Sequence, residues 1–386
     1  MIITYCRVSV QGLRPPYDSG VRVILSNVME KKHRIVMHCD INAFYPSCEV
    51  RRDPSLEGKP LVVGADPKGG HGRGVVTSCS YEARKLGVRS GMPISQAYRL
   101  APQAVYVRPD FELYGQTSER VMELLKSYAT KFEQTSIDEA FLDVTDNCPS
   151  FEEARHLAEK MKKDLRKAEG LTMSIGVAPN KSIAKIASDY QKPDGLTVVF
   201  PDQVDGFLSA LPVEKISGVG KKTTEFLNAK GITTIGELRK ISAKNLTDWF
   251  GRGGVWLWAI ANGIEETPVE ERPLRKSISV EQTFEKDLRD KSLVIQALDA
   301  LTVEVHERLL EERLVFRTVG VKVRLEGFQT FTREKTHTGY VDDKNVIDEY
   351  VKLLFREFEN DRRKVRLVGV RLSGLRPAEG QQSRLS

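Results

Sequence analysis

The sequence predicts an α+β protein of several domains, and three observations lead there. A strand–helix–strand–strand–helix–strand order can be read twice, across residues 34–210 (with an excursion at 53–110) and across 276–377, with a helical segment between. A chain of 386 residues is too long for one ordinary core, so two to four are expected. Carboxylates also stand at the ends of apolar, strand-like runs, where core elements meet solvent. Hydrophobic content of 40% with 29% charged residues describes a soluble globular chain, and no apolar run reaches membrane-spanning length. A net charge of +6 favours a polyanionic partner only mildly. Five cysteines without a CxxC pair point to reduced thiols in a cytoplasmic protein and away from a zinc site.

The stretch Thr135-Ser136-Ile137-Asp138-Glu139-Ala140-Phe141-Leu142-Asp143 sets two adjacent acids before an alternating run that reads as a half-buried strand. Two acids at a tight strand connection repel each other unless a cation or a proton lies between them. Divalent metals on oxygen ligands are the usual partner. The plain alternative is a polar hairpin turn, since Asp marks turns. A second acid shifts the balance: Asp40 follows the apolar run Ile35-Val36-Met37-His38-Cys39 and precedes Ile41-Asn42-Ala43-Phe44-Tyr45. An acid ending a core strand is a common metal-ligand position in phosphoryl transfer, where two bridged metals activate the attacking oxygen and neutralise the leaving one.

Four motifs stand in register: Asp40-Ile-Asn-Ala-Phe-Tyr45, Ser80-Tyr-Glu-Ala-Arg84, Ser136-Ile-Asp-Glu139 and Lys192-Pro-Asp-Gly195. Together they resemble a Y-family, lesion-bypass DNA polymerase of the DinB (DNA polymerase IV) type, from about Arg34 to about Pro377. The resemblance implies a right-hand polymerase. Its ferredoxin-like palm would comprise residues 34–52 and 111–210, with small fingers at 53–110. A helix-hairpin-helix thumb at 211–264, a linker at 265–275 and a β-α-β-β-α-β little finger at 276–377 would follow.

Residues 1–33 combine Pro15-Pro16, Asp18-Ser19-Gly20 and an apolar patch, Val21 to Leu25, too short and broken for a signal peptide. Met29 sits where a family member would begin, so this segment is expected to be a disordered extension, or its first 28 residues to reflect an upstream start. Arg34 to Tyr45 carries the first palm strand, and a helix starts from Ala43. Leu61 to Gly64 reads as a strand and Asp66 to Gly74 as a flexible turn, since the glycine cluster lacks the GxxxxGK[ST] pattern of a P-loop. The strand from Gly74 to Cys79 delivers Ser78. Tyr81 and Arg84, three apart, share a helix face. An arginine fork beside a phenol suits a triphosphate tail, although a solvated helix with one ion pair is the bland reading. The resemblance implies that Tyr81, Arg84 and the Ser78 hydroxyl hold the incoming nucleotide's phosphates. Ser78-Cys79-Ser80 stands where relatives often show Thr-Ala-Asn. It also implies nucleotide contacts at Phe44 and at Tyr45, whose ring would lie under the sugar and clash with a 2′-hydroxyl.

Val121, Leu124, Leu125 and Tyr128 mark a helix face leading back to the acidic hairpin. Phe151 to Ala168 is a basic amphipathic helix expected to cover the sheet, and Leu171 to Val177 another strand. From Asn180 a helix begins whose N-terminus suits an anion. Lys192, before a turn, is ordinarily just solvated; the resemblance assigns it to the triphosphate.

In Ile216-Ser217-Gly218-Val219-Gly220-Lys221-Lys222-Thr223, Gly218 and Gly220 let backbone N–H groups approach a DNA phosphate, and Lys221 and Lys222 add charge without sequence readout. Many helix connections use such a turn with no ligand. Leu246, Trp249, Phe250 and Trp258 are expected in the thumb core, and Glu265 to Arg275, with two prolines, as a charged linker. In Val321-Lys322-Val323-Arg324-Leu325 the apolar residues face helices, so Lys322 and Arg324 point the other way. A basic sheet face suits a duplex backbone, and an ordinary solvated face is the alternative. Beyond Pro377 a flexible tail is expected. Its Gln382-Ser383-Arg384-Leu385 resembles the opening of a sliding-clamp peptide, but no aromatic pair follows and chance similarity is the better reading.

The resemblance implies template-directed deoxynucleotide transfer. Asp40, Asp138, Glu139 and the Ile41 carbonyl would hold two Mg²⁺, with primer–template DNA and deoxynucleoside triphosphates as partners of a monomer. No further acidic constellation suggests a proofreading exonuclease. Two other classes compete: a nucleotidyl cyclase, which has no duplex to hold and so leaves the helix-hairpin-helix unexplained, and a non-catalytic DNA-binding relative, against which the three acids and the Tyr81/Arg84 pair speak.

Overall fold

The computed structural model describes residues 33–271 and 275–378. The expectations for the N-terminal extension, His33 apart, and for the clamp-like tail lie outside them. The elements of the first half are β1 (Val36–Ile41), α1 (Phe44–Arg52), β2 (Leu61–Gly64), β3 (Val76–Cys79), α2 (Tyr81–Lys85), α3 (Ile94–Leu100), β4 (Val105–Val107) and α4 (Phe111–Lys126). Then come β5 (Lys131–Gln134), β6 (Glu139–Asp143), α5 (Phe151–Glu169), β7 (Met173–Ala178), α6 (Lys181–Tyr190) and β8 (Leu196–Val198).

The palm sheet runs β5-β6-β1-β7-β8, with β1 antiparallel to both β6 and β7 and buried at every position. Omitting β8, this is the ferredoxin-like order, with the first strand between the third and fourth. Strand alternation divides β1: Met37, Cys39 and Ile41 pack in the core under α4 and α5, while Val36 joins the core under α6. His38 and Asp40 therefore share the α6 side with their cross-strand partners Phe141 and Glu139. The α6 helix lies flush on β7 because Gly176 has no side chain; a Cβ there would stand 2.0 Å from the Ala184 carbonyl oxygen. Asn180 caps α6 through Ile183 N–H at 3.1 Å. The anion at this helix N-terminus is the chain's own Glu265 carboxylate, which accepts from Ser182 N–H at 2.5 Å.

The excursion forms a separate three-stranded sheet, β3-β2-β4, cored by Val62, Val76, Cys79, Ala83, Ile94 and Ala97. The second half opens with five helices: α7 (Val204–Ser209), α8 (Lys221–Ala229), α9 (Ile235–Leu238), α10 (Ala243–Phe250) and α11 (Arg252–Ala261). Leu246 is fully buried among them, whereas Trp249, Phe250 and Trp258, expected in the core, are only partly covered at its margin. Their rings are larger than so small a bundle can enclose.

β9 (Ser277–Leu288), α12 (Lys291–Glu311), β10 (Leu314–Leu325), β11 (Thr330–Val341), α13 (Lys344–Glu359), β12 (Val365–Ser373) and β13 (Arg376–Pro377) complete the chain. The element order repeats that of the palm, but the sheet runs β11-β10-β12-β9. Here the fourth strand, β12, lies between the first and second, so the two units share a string of elements and not a topology.

Two segments read as loops are held in place by long-range contacts. The Asp66–Gly74 turn is docked on the little finger: Arg73 donates to the Phe284 carbonyl at 3.0 Å and pairs with Asp287 at 2.6 Å, and Lys68 reaches Glu285 at 2.6 Å. The linker is strapped to the palm. Arg34 donates to the Thr267 carbonyl at 2.7 Å, Val269 is fully buried, and Glu271 pairs with Lys126 at 2.6 Å. Composition marked both segments as loops; it carried no information about which partners would satisfy their charges. Asp287→Arg is expected to release the fingers from the little finger, and Arg73→Asp in the same chain to restore the contact. A double-mutant cycle on protease susceptibility should give a coupling of about 1 kcal/mol; no coupling would mean the contact is incidental.

Candidate active site

The register of β1 with β6 sets Asp40 directly opposite Glu139, and Ile41 N–H donates to the Asp138 carbonyl at 3.0 Å. The chain leaves β1 through Asn42, which sequence reasoning passed over. Its Nδ2 donates to Ser174 Oγ at 2.9 Å, and its Oδ1 accepts from Asp194 N–H at 2.8 Å and from the Thr172 hydroxyl at 3.1 Å. These bonds hold the turn in which Ala43 takes the left-handed conformation (φ 43°, ψ 52°), and α1 begins at the next residue. An asparagine between a strand and a helix is the available signal, because its short amide bonds local backbone so readily.

A cavity of about 360 Å³ opens here. Asp40, Ile41, Asp138 and Glu139 line it together with Phe44, Tyr45, Ser78, Tyr81, Arg84 and Lys192, so all ten residues expected to bind metal or nucleotide meet in one place. Thr77, on β3, and Ser90, in a turn, also line it and were missed, since lone hydroxyls carry no pattern. The Tyr45 ring stacks on Tyr114 (4.2 Å between centroids, 12° apart), and Tyr114 donates its hydroxyl to buried Glu49 at 2.5 Å. Arg84 lies over the Tyr81 ring at 4.7 Å and donates Nε–H to the Cys79 carbonyl at 3.2 Å.

The carboxylates differ in environment. Burial pushes Asp40 up to about 7, with Lys192 opposing and Glu139 adding to the shift. Burial also raises Asp138, against the Ser136 hydroxyl bonded to it at 2.7 Å. For Glu139 burial opposes ionisation, but the neighbouring His38 ring, 3.8 Å away, and the Lys185 ammonium bonded at 2.7 Å outweigh it and hold the group below the ordinary carboxylate range. Lys192 bridges Asp40 at 2.6 Å and Asp189 at 2.7 Å; burial disfavours its charge, and the two acids more than compensate.

Among the described residues no three acidic, histidine or cysteine side chains gather closely enough to form a ready-made metal cage. Lysine ammonium groups instead sit on Asp40 and Glu139. The donor set still fits Mg²⁺. It consists of hard oxygens on an open cavity, and Mg²⁺ commonly takes one or two carboxylates and completes its octahedron with water and substrate phosphates.

The residues expected on DNA lie elsewhere. Gly218 (φ 96°) and Gly220 form the turn into α8, with Lys221 and Lys222 exposed at its first positions. Lys322 and Arg324 do face away from the helices of the little finger, but that face is not simply basic. Lys322 pairs with Glu281 of β9, reaching across Gly369, and Arg324 donates to the Thr330 hydroxyl at 2.8 Å. A cross-strand acid two strands away is invisible in one strand's alternation. The four described cysteines, Cys39, Cys48, Cys79 and Cys148, are free and buried, and no helix among the described residues is long and apolar enough to cross a membrane.

A ferredoxin-like palm with acids at the end of its central strand, fingers closing a nucleotide-sized cavity, and two further domains define a palm-type nucleic-acid polymerase. The impB/mucB/samB family matches residues 39–189, and the impB/mucB/samB family C-terminal domain matches 275–385. The chain is 50% identical to DNA polymerase IV of Methanoculleus marisnigri over 342 residues, 89% of this chain and 94% of that protein. It is 44% identical to DNA polymerase IV 2 of Methanosarcina mazei, across 91% of this chain and 95% of that one. A Y-family DNA polymerase chimera of Dbh and Dpo4 has a TM-score of 0.82 and 32% identity, covering 89% of this chain and 100% of the chimera. The chain belongs to the DNA polymerase IV (DinB) group of the Y-family translesion DNA polymerases. Enzymes of that group generally use a divalent metal. The cyclase and non-catalytic alternatives are thereby set aside.

Proposed function

We propose that this enzyme extends a primer 3′ end on damaged as well as intact templates, with low fidelity and no proofreading, as a cytoplasmic monomer. One observation carries the reading: Asp40, Asp138 and Glu139 share a single cavity with Ser78, Tyr81, Arg84 and Lys192. Two Mg²⁺ held by the three acids and the Ile41 carbonyl would supply an activated primer oxygen and neutralise charge developing at the α-phosphate. Arg84 offers the nucleotide tail a planar fork, Ser78 and Tyr81 offer hydroxyl donors, and Lys192 moves from Asp40 to the phosphates. Tyr45, held by its stack on Tyr114, forms a rigid floor under the sugar. The amides at Gly218 and Gly220, with Lys221 and Lys222, take backbone phosphates of the duplex, and Lys322 and Arg324 add contacts from the little finger.

Primer extension on matched intact and lesion-bearing templates, with Mg²⁺ present or chelated, tests this. Short, metal-dependent products on both templates are expected. Products on intact DNA alone would remove the bypass reading, and no incorporation by a folded, DNA-binding preparation would overturn the chemistry.

A further inference from the structure

Behind Glu139 lies a polar cluster that neither metal nor nucleotide binding explains. His38 is fully buried on β1, its ring 4.6 Å from that of Phe141. Its Nδ1 lies 2.7 Å from the Ser188 hydroxyl, and that hydroxyl donates to the Lys185 carbonyl at 2.8 Å. A hydroxyl has one proton. With that proton on the carbonyl, Nδ1 must be the ring nitrogen carrying hydrogen, and Nε2 is left as an acceptor. Nε2 faces Lys185 Nζ at 3.4 Å, and Nζ donates to Glu139 Oε2 at 2.7 Å. The directions agree throughout: Nδ1–H to Ser188, Ser188 to the α6 backbone, and the Lys185 ammonium to both Nε2 and the carboxylate. The Thr135 hydroxyl, 3.5 Å away, also reaches Oε2, so the bonds these side chains make leave Oε1 for a ligand.

We propose that Lys185, pinned by the His38–Ser188 pair, is a positioning residue for polymerisation that fixes the Glu139 carboxylate in the orientation from which it binds a divalent cation. Outer partners that orient a metal-binding carboxylate commonly govern affinity and activity 10- to 100-fold. The inference rests on Glu139 being a metal ligand.

The sign of one measurement decides it. By Coulomb attraction alone, removing a positive charge beside a carboxylate tightens cation binding; losing the carboxylate's orientation weakens it. Mn²⁺ binding to the full chain, with dideoxy-terminated primer–template and the next deoxynucleotide, can be followed by electron paramagnetic resonance. Lys185→Met is expected to raise the Mn²⁺ dissociation constant about tenfold, and to lower single-turnover extension by a similar factor with deoxynucleotide affinity within twofold of wild type. Ser188→Ala, which removes the Nδ1–H acceptor, should weaken Mn²⁺ about threefold, a smaller effect of the same sign. Lys185 is partly exposed, so its variant tests the proposal even if replacements of buried His38 fail to fold. Unchanged or tighter Mn²⁺ binding in Lys185→Met would overturn the proposal. Glu139→Gln is the control: if it leaves Mn²⁺ binding intact, the ligand assignment itself fails.

Discussion

Asp138→Ala is expected to lower single-turnover extension by roughly 10³-fold or more while changing primer–template affinity less than about twofold. The loss is large because Asp138 and Glu139 are adjacent on one hairpin and Asp40 faces Glu139 across β1 and β6. On the proposed two-metal reading, removing one acid leaves too few protein oxygens to hold both cations beside the triphosphate. The fold should not suffer. Asp138 has one side-chain bond, to Ser136 at 2.7 Å, and its bond to Ile41 N–H uses the backbone carbonyl, which alanine keeps. Burial and neighbouring Glu139 both disfavour its charge, so the melting temperature of the metal-free protein should hold or rise. Extension kinetics, fluorescence anisotropy with labelled DNA and thermal melting give the three readouts. A variant that folds, binds DNA and still extends at near wild-type rate would remove Asp138 from the metal site.

Tyr45→Ala is expected to collapse discrimination against ribonucleotides by about 100-fold, the scale on which a shaped pocket rejects an added hydroxyl. Rejection by clash needs a wall that does not yield. Tyr45 has one: its ring is stacked on Tyr114 at 4.2 Å, Phe111 meets it edge-on at 6.2 Å, and Tyr114 is itself anchored on Glu49 at 2.5 Å. Deoxynucleotide incorporation should fall by less than about tenfold, because Tyr45 contributes no phosphate or metal contact in this reading. The check is the ratio of kpol/Kd for matched deoxy- and ribonucleotides in single-nucleotide insertion. An unchanged ratio would place the sugar elsewhere in the cavity.

The readable part of the site follows strand ends. Asp40 ends an apolar run and Asp138-Glu139 opens one. In a strand, alternation and position alone decide which residues leave the core, so the carboxylates stood out before any fold was known. Tyr81 and Arg84 were likewise legible, since a spacing of three places two side chains on one helix face whatever surrounds the helix. Asn42 was passed over although it sits inside a motif. Its bonds run to Ser174, Thr172 and Asp194, and nothing local to Asn42 announces them.

Family resemblance named Ile41, Phe44, Tyr45, Ser78 and Lys192; the linear order of residues was enough for the β-α-β-β-α-β string of both units, for the helical segment between them, and for the three carboxylates and the Tyr81/Arg84 pair. Each of these depends on periodicity, end position or a short motif, which are local quantities. Non-local packing settled the rest. The little finger sheet places its fourth strand, β12, between the first two in sequence, a choice of hydrogen-bonding neighbours that the element string leaves open. Lys322 meets Glu281 over Gly369 only because β10, β12 and β9 are paired in one register. Lys185 and Ser188 come under Glu139 and His38 because Gly176 lets α6 lie directly on the sheet. Local spacing fixes the face a side chain takes; the partner it finds there is chosen by chain segments far away in sequence, 132 residues for Asn42 and Ser174 and 150 for His38 and Ser188, brought near by burial of the core.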